Sequence, residues 1–310
     1  MGSPTAAELL DRCSFPAAGT AVTCAVSGGA DSLALLVLAV ESGCRVTAVH
    51  VDHGLRPGSS TEADVVAAAS IRFGATFRSQ IVVVDRGANL EARARAARFA
   101  VLPADVLTGH TADDQAETVL VNLLRGSGID GLAGMRRDRH PLLGLRRSET
   151  AALCAALDLD VVSDPMNDDH RFQRVRIRHE LLPLLESIAG RDVVPILARQ
   201  ADHLRGVAEL LSELADGVDP TDARTLHEAS PAIAAVALRS WIQRETGSSH
   251  PTDSASIDRV MAVVANRVRA AEVNGGYRVA RTAQRLRIEP PANDGTGPGS
   301  RSHPIATPEQ

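Results

Sequence analysis

The chain has 310 residues and a formal charge of −5, and all 33 of its basic residues are Arg. No mechanism built on a protein lysine is therefore open to it, neither a Schiff base nor a Walker-type Gly-Lys-Ser/Thr phosphate loop. Five Phe, one Tyr and one Trp are too few for the stacking platforms of single-strand nucleic-acid binders, and four scattered Cys without a Cys-x-x-Cys pair fit neither a zinc site nor a redox couple.

In chain order, Ala21–Val26 reads as a β-branched strand ending in Ser-Gly-Gly-Ala-Asp-Ser. Asp31–Glu41 is apolar all round and predicts a buried helix; Arg45–Val51 predicts a second strand, Thr61–Phe73 a helix and Thr76–Val84 a third strand. An Arg-studded helix is expected over Asn89–Val101, a short strand over Asp105–Thr108 and a helix over Ala112–Leu124. Strands alternating with helices imply βαβ units, that is, an α/β fold with a parallel sheet covered by helices on both faces. Further helices are expected over Ser148–Leu157, Arg174–Leu185, Val193–Ala215, Ser230–Thr246 and Ser254–Val268. Ala271–Ile288 then reads as a hairpin turning at Asn274-Gly275-Gly276. The expected organisation is a catalytic domain over 1–205, a smaller mainly helical domain with a terminal hairpin over 206–289, and a Pro/Gly/Ser/Thr-rich tail over 290–310 without fixed structure. Neither a long apolar run nor a signal peptide in Met1–Arg12 is found, so a soluble cytoplasmic protein is expected.

The sharpest local signal is Ser27-Gly28-Gly29-Ala30-Asp31-Ser32, between a strand and a helix. Two glycines let backbone N–H groups converge on an anion, and the helix start adds its positive dipole end. Ser27 and Ser32 add hydroxyls, and without a Lys some phosphate charge must be met by Mg²⁺, which Asp31 is placed to hold. The plain alternative is a Gly-Gly turn with a polar helix cap. Gly126–Gly131 matches Gly-x-Gly-x-x-Gly literally, but a helix precedes it, so a dinucleotide reading fails. His50 and Asp52 share one side of a strand end and are read as a pocket wall rather than as metal ligands. In His110-Thr111-Ala112-Asp113-Asp114-Gln115-Ala116-Glu117, Thr111 and Asp114 make a capping box, while Asp114 and Glu117 share a helix face as paired carboxylates for an ammonium group or Mg²⁺.

Together these residues resemble the N-type ATP pyrophosphatases, with an adenine nucleotide alpha hydrolase-like fold, and within them the tRNA(Ile)-lysidine synthetases. The matching stretches include 27–32, His-Val-Asp-His-Gly-Leu-Arg (50–56), 89–99, 108–128, Pro-Leu-Leu-Gly-Leu-Arg-Arg (141–147), Asp-Pro-Met-Asn (164–167) and Arg-Ile-Arg-His-Glu-Leu-Leu-Pro (176–183). The chain departs from the family's pattern at His140, where Arg is frequent, and at Phe172 and Val175. The resemblance implies ATP and Mg²⁺ as cofactors, with L-lysine and an isoleucine tRNA bearing a CAU anticodon as substrates. It implies an adenylated cytidine C2 oxygen, displaced by the lysine amine to give lysidine, AMP and pyrophosphate. It assigns nucleotide contacts to Ser27, Gly28, Gly29, Ala30, Asp31, Ser32, His50 and Asp52, a metal ligand to Asp31, and the reacting centre to Asp31, Arg95, His110, Asp114 and Glu117. No membrane partner is expected, and a homodimer is among the assemblies the sequence allows.

Binding of RNA by a chain of negative net charge calls for local patches. Residues 120–147 hold six Arg against two acids, which makes Arg136 and Arg137 candidate phosphate contacts. Two rival readings remain. A related tRNA thiolase is disfavoured by the missing Cys-x-x-Cys. A non-catalytic ATP sensor would have no use for the Asp114/Glu117 pair.

Overall fold

In a computed structural model, four parallel strands form one sheet in the order β3-β2-β1-β4. The structure describes residues 5–52, 59–82, 93, 97, 99–162, 170–248 and 252–291. The strands are β1 (Ala21–Ala25), β2 (Arg45–Asp52), β3 (Thr76–Ile81) and β4 (Leu107–Thr108). A short helix α1 (Ala6–Leu10) precedes them; α2 (Ala30–Glu41) and α3 (Ser59–Phe73) connect them, and α4 (Ala112–Leu124) follows. The chain steps from β1 outward to β2 and β3, then returns to place β4 on the other side of β1. The order thus reverses at β1, and open α/β sheets bind ligands in the crevice at such a point.

Helix α2 buries every residue from Ser32 to Ala39, which explains its lack of a polar face. It packs with Cys24, Val46, Ala48, Val66, Leu142, Leu145 and Leu153 in the largest core of this part of the chain. Leu142 and Leu145 come from a non-helical segment tied to α4 by the Ala112 N–H donating to the Leu145 carbonyl at 2.8 Å. Helix α5 (Ile129–Leu132) follows the Gly-rich turn, and α6 (Arg147–Ala156) packs on α2.

Several expected elements differ. Strand β4 forms only two residues of ladder, Leu107 and Thr108 against Cys24 and Ala25, because the chain before it is turned, the Val106 N–H donating to the Pro103 carbonyl at 3.1 Å. The helix expected over Arg174–Leu185 is α7 (Gln173–Arg176), a π turn (Ile177–Leu181) and α8 (Leu182–Ala189). The Leu182 N–H reaches back to the Ile177 carbonyl. Pro183, which has no N–H, lies directly beyond this wide turn. Most of the helix expected over Asn89–Val101, with Arg95, lies outside the described residues, as do 53–56 of the second motif and 164–167 of Asp-Pro-Met-Asn.

The chain divides into two units, Met1–Ala208 and Glu209–Gln310, the division falling within α9 (Val194–Asp216). The second unit holds α10 (Ala223–Glu228), α11 (Pro231–Thr246) and α12 (Ser254–Val264) around Leu226, Leu238, Trp241 and Val260. Its last element is a three-stranded antiparallel sheet rather than a hairpin: β5 (Ala270–Glu272), β6 (Arg278–Thr282) and β7 (Arg285–Glu289). The second turn uses Ala283 at φ 53°, a left-handed position with none of the residues that usually announce one.

Candidate active site

A cavity of about 600 Å³ opens at the C-terminal ends of β1, β2 and β4. Ser27, Gly29, Ala30, Asp31, Ser32, His50, His110 and Asp114 line it, together with Thr108, Gly109, Arg147 and Arg178. The loop after β1 gains its shape from glycine and two hydroxyls. Gly28 sits at φ 86°, and a Cβ there would meet Val162 Cγ2 at 3.1 Å. The Ser27 N–H donates to Ser32 Oγ at 3.1 Å, and Ser32 Oγ donates to the Gly29 carbonyl at 2.8 Å. Gly29, with no side chain, caps α2 without a side-chain hydrogen bond; its carbonyl accepts from the Ser32 and Leu33 N–H groups at 3.0 Å, and the Ala30 and Asp31 amides come first at the helix start. Gly109 lets the end of β4 press against the same helix start, since a Cβ there would lie 2.5 Å from the Asp31 carbonyl oxygen.

His50 is 2 % exposed. Its Nδ1 lies 3.0 Å from the Val26 carbonyl and must donate there, which leaves Nε2 an acceptor. That Nε2 is buried without a hydrogen-bond partner among the described residues. Asp52, on the same strand, is not among the residues lining the cavity.

Three carboxylates and three guanidiniums form one network on the far wall. Glu117 is fully buried and is held by Arg174 Nε at 2.7 Å, Arg178 Nε at 2.7 Å and Arg147 Nη1 at 3.4 Å. Arg147 also donates to Asp114 Oδ1 at 2.9 Å and to Asp31 Oδ2 at 3.4 Å. The second oxygen of Asp114 closes the capping box, accepting from the Thr111 N–H at 2.9 Å and its hydroxyl at 3.1 Å. Thr150 donates to the other oxygen of Asp31. Glu117 is therefore not presented to the cavity as one of a carboxylate pair. It is sealed beneath three Arg and anchors them, and Asp114 and Asp31 are the members of the network that line the cavity, with Glu62 outside the network.

The two cavity-lining acids of the network differ. Burial pushes the Asp31 carboxyl up to about 6, against the opposing pull of Thr150 and Arg147. Burial would also raise Asp114, but Arg147, His110 and Arg174 together hold it below the usual carboxylate range. The same acids keep the Arg147 guanidinium firmly charged despite its burial. Arg147, Arg174, Arg178, Thr150 and Gly109 escape the sequence reading of individual site residues. The signal that could have found the arginines is electrostatic: a buried acid demands a partner, and Arg is the only permanent cation in this chain.

Of the Arg-rich stretch 120–147, several members are consumed internally. Arg137 pairs with Asp202 at 2.8 Å, Arg146 with Asp113 at 3.0 Å and with Asp192, and Arg147 lies in the network. Arg136 faces solvent and, among the described residues, pairs with the exposed Asp138 at 3.3 Å.

A PP-loop domain family matches residues 4–185. Over 257 residues the chain is 44 % identical to a tRNA(Ile)-lysidine synthase of Nocardia farcinica, covering 77 % of this chain and 80 % of that one. It is 50 % identical over 205 residues to the synthase of Mycolicibacterium paratuberculosis (63 % and 64 % covered) and 40 % identical over 265 residues to that of Leifsonia xyli (75 % and 79 %). The glycine loop, the switch-point cavity and the run of matched sequence agree, and the chain belongs to the tRNA(Ile)-lysidine synthase family.

Proposed function

We propose that this protein ligates L-lysine to the wobble cytidine of an isoleucine tRNA with a CAU anticodon. ATP is consumed to AMP and pyrophosphate, and the cytidine C2 oxygen is adenylated on the way. The observation that carries this reading is the cavity that sets a phosphate-suited loop beside a wall of acids and Arg.

The first step crowds negative charge at the triphosphate, and the α2 amides, Ser27, Ser32 and Arg147 are placed to offset it. His50 Nε2, an acceptor lacking a donor, suits a ribose hydroxyl or the adenine amino group. Mg²⁺ fits this chemistry: a buried carboxylate raised to about 6 is one that a divalent cation returns to full ionisation. Asp31 would hold the ion together with the phosphates, as Mg²⁺ commonly uses one or two carboxylates and substrate oxygens. Bound there, the ion would screen the phosphate charge.

The second step needs a neutral amine from a lysine whose ordinary pKa is about 10.4. Asp114 and Asp31 orient the ammonium, which gives one proton to water, and His110 on the cavity wall accepts the second as the amine bonds to C2. In this structure Arg147 already bridges those two acids. The triphosphate gives Arg147 a second partner, so ATP entering first clears the acids for lysine. Residues 1–205 carry this chemistry, and 206–289 form a second domain; Arg95 belongs to the reacting centre by resemblance. The protein acts in the cytoplasm on this reading, and no described helix is long and apolar enough to cross a membrane.

The test is incubation with ATP, Mg²⁺, radiolabelled lysine and isoleucine or methionine tRNA transcripts. Label on the isoleucine transcript alone is expected. Normal ATP binding with no labelled tRNA would overturn the assignment in favour of a sensor.

A further inference from the structure

We propose that His140 is a positioning residue for the lysine-transfer step: through the Thr108 hydroxyl it fixes the tautomer of His110 and takes up the proton that His110 passes on. The inference rests on His110 as the proton acceptor of the amine. Thr108 Oγ1 lies 2.6 Å from His110 Nδ1 and 2.5 Å from His140 Nδ1, and the two nitrogens are 3.2 Å apart. The rings meet edge to face, with centroids 4.8 Å apart at 86°.

A hydroxyl carries one hydrogen, so Thr108 donates to one imidazole and accepts from the other. With both rings neutral, one Nδ1 carries a proton and the other does not. If His110 carries it, its Nε2 keeps a bare lone pair, the form a proton acceptor needs, and His140 is the Nε2–H tautomer. The transfer then balances. The lysine ammonium first loses one proton to water; the neutral amine then gives a second to His110 Nε2 as it bonds to C2 and AMP leaves with the C2–O electrons. The Nδ1 proton of His110 moves to Thr108 Oγ1, the Thr108 hydroxyl proton moves to His140 Nδ1, and the His140 Nε2 proton goes to water. One proton enters and one leaves, neither ring remains charged, and proton exchange with water restores the starting tautomers.

The surrounding backbone holds this geometry. Thr108 is 8 % exposed, and its N–H donates to the Arg139 carbonyl at 3.0 Å. The His140 N–H donates to the Arg137 carbonyl at 3.3 Å, and its carbonyl accepts from Leu143 at 3.2 Å. His140 is half-buried rather than sealed, as an outlet to water requires. Among the described residues, the charged groups around the pair include Asp114, whose carboxylate feels His110, with Arg147 and Arg174 behind it. Asp31, His50, Glu62 and Arg178 line the same cavity, and Arg139 stands next to His140 with its guanidinium on the Ala104 carbonyl.

The test compares His140→Asn and His110→Asn in steady-state lysidine formation across pH, alongside long-range ¹H–¹⁵N spectra of histidine in the unmodified protein. An Asn amide oxygen replaces Nδ1 as acceptor but cannot carry a proton. The expectation for His140→Asn is a kcat lowered about tenfold with an unchanged KM for lysine, and a displaced limb of the kcat–pH profile. His110→Asn should lose on the order of a hundredfold. The spectra should show His110 as Nδ1–H and His140 as Nε2–H. A wild-type kcat and profile in His140→Asn, or His110 found as Nε2–H, overturns the inference while leaving His110 as acceptor. A wild-type kcat in His110→Asn removes the acceptor reading and this inference with it.

Discussion

The two walls of the cavity are built by different physics. On the β1 side, the hydroxyls and glycines of residues 27–32 shape the loop mainly by local contacts with the start of α2, besides a Val162 N–H donating to the Gly28 carbonyl at 3.0 Å. On the α4 side, Asp31, Asp114 and Glu117 meet Arg147, Arg174 and Arg178 across gaps of 30 to 116 residues. The first wall is backbone geometry and the second is charge balance. The first should therefore break on a single added carbon, and the second on a single removed charge.

The largest effect is expected at the base of the charge network. Glu117→Ala leaves three Arg converging on a buried hole, and removing one partner of such a network costs about 3–5 kcal/mol. Thermal unfolding should show a clear fall in Tm, and Glu117→Gln should recover little of it because the charge is still missing. Next comes the backbone wall. Gly109→Ala puts a methyl group against the Asp31 backbone and should cost roughly 1–3 kcal/mol, with weaker ATP binding by calorimetry. If ATP binding is unchanged, the close approach of β4 to α2 does not shape the nucleotide site.

Asp31→Asn separates stability from chemistry. Its folded carboxyl sits near 6, above its unfolded value, so the native state binds the extra proton and stability falls as pH rises through that interval. The Asn variant should therefore be more stable than the parent above about pH 6, by up to roughly 2 kcal/mol, with no advantage below about pH 4. It should also lose pyrophosphate release. Equal denaturant midpoints at pH 5 and pH 8 would show that burial does not perturb this carboxyl. The smallest effect is at the surface: Arg136→Ala breaks only an exposed pair and should shift stability by less than about 0.5 kcal/mol. It should still flatten the salt dependence of tRNA binding, and an unchanged slope would remove Arg136 from the RNA footprint.

The contrast also explains what could be read beforehand. The α/β class, the parallel sheet and the glycine loop follow from periodicity and a short motif, because Ser27, Gly29 and Ser32 act within a few residues of one another. The three Arg partners of Glu117 do not, because nothing in the local pattern of Arg147, Arg174 or Arg178 says which acid each will meet. The turn at Ala283 and the π turn before Pro183 are hidden for a simpler reason: neither is announced by Gly, Asn or Asp.

The central claim is that this cavity activates the RNA and not the amino acid. Incubation with α-labelled ATP, Mg²⁺ and the isoleucine tRNA transcript, with lysine withheld, tests it most directly. Pyrophosphate release that depends on the tRNA, with the adenylyl label appearing on the RNA and leaving as AMP once lysine is added, is predicted. Pyrophosphate release that needs lysine but no tRNA would contradict it.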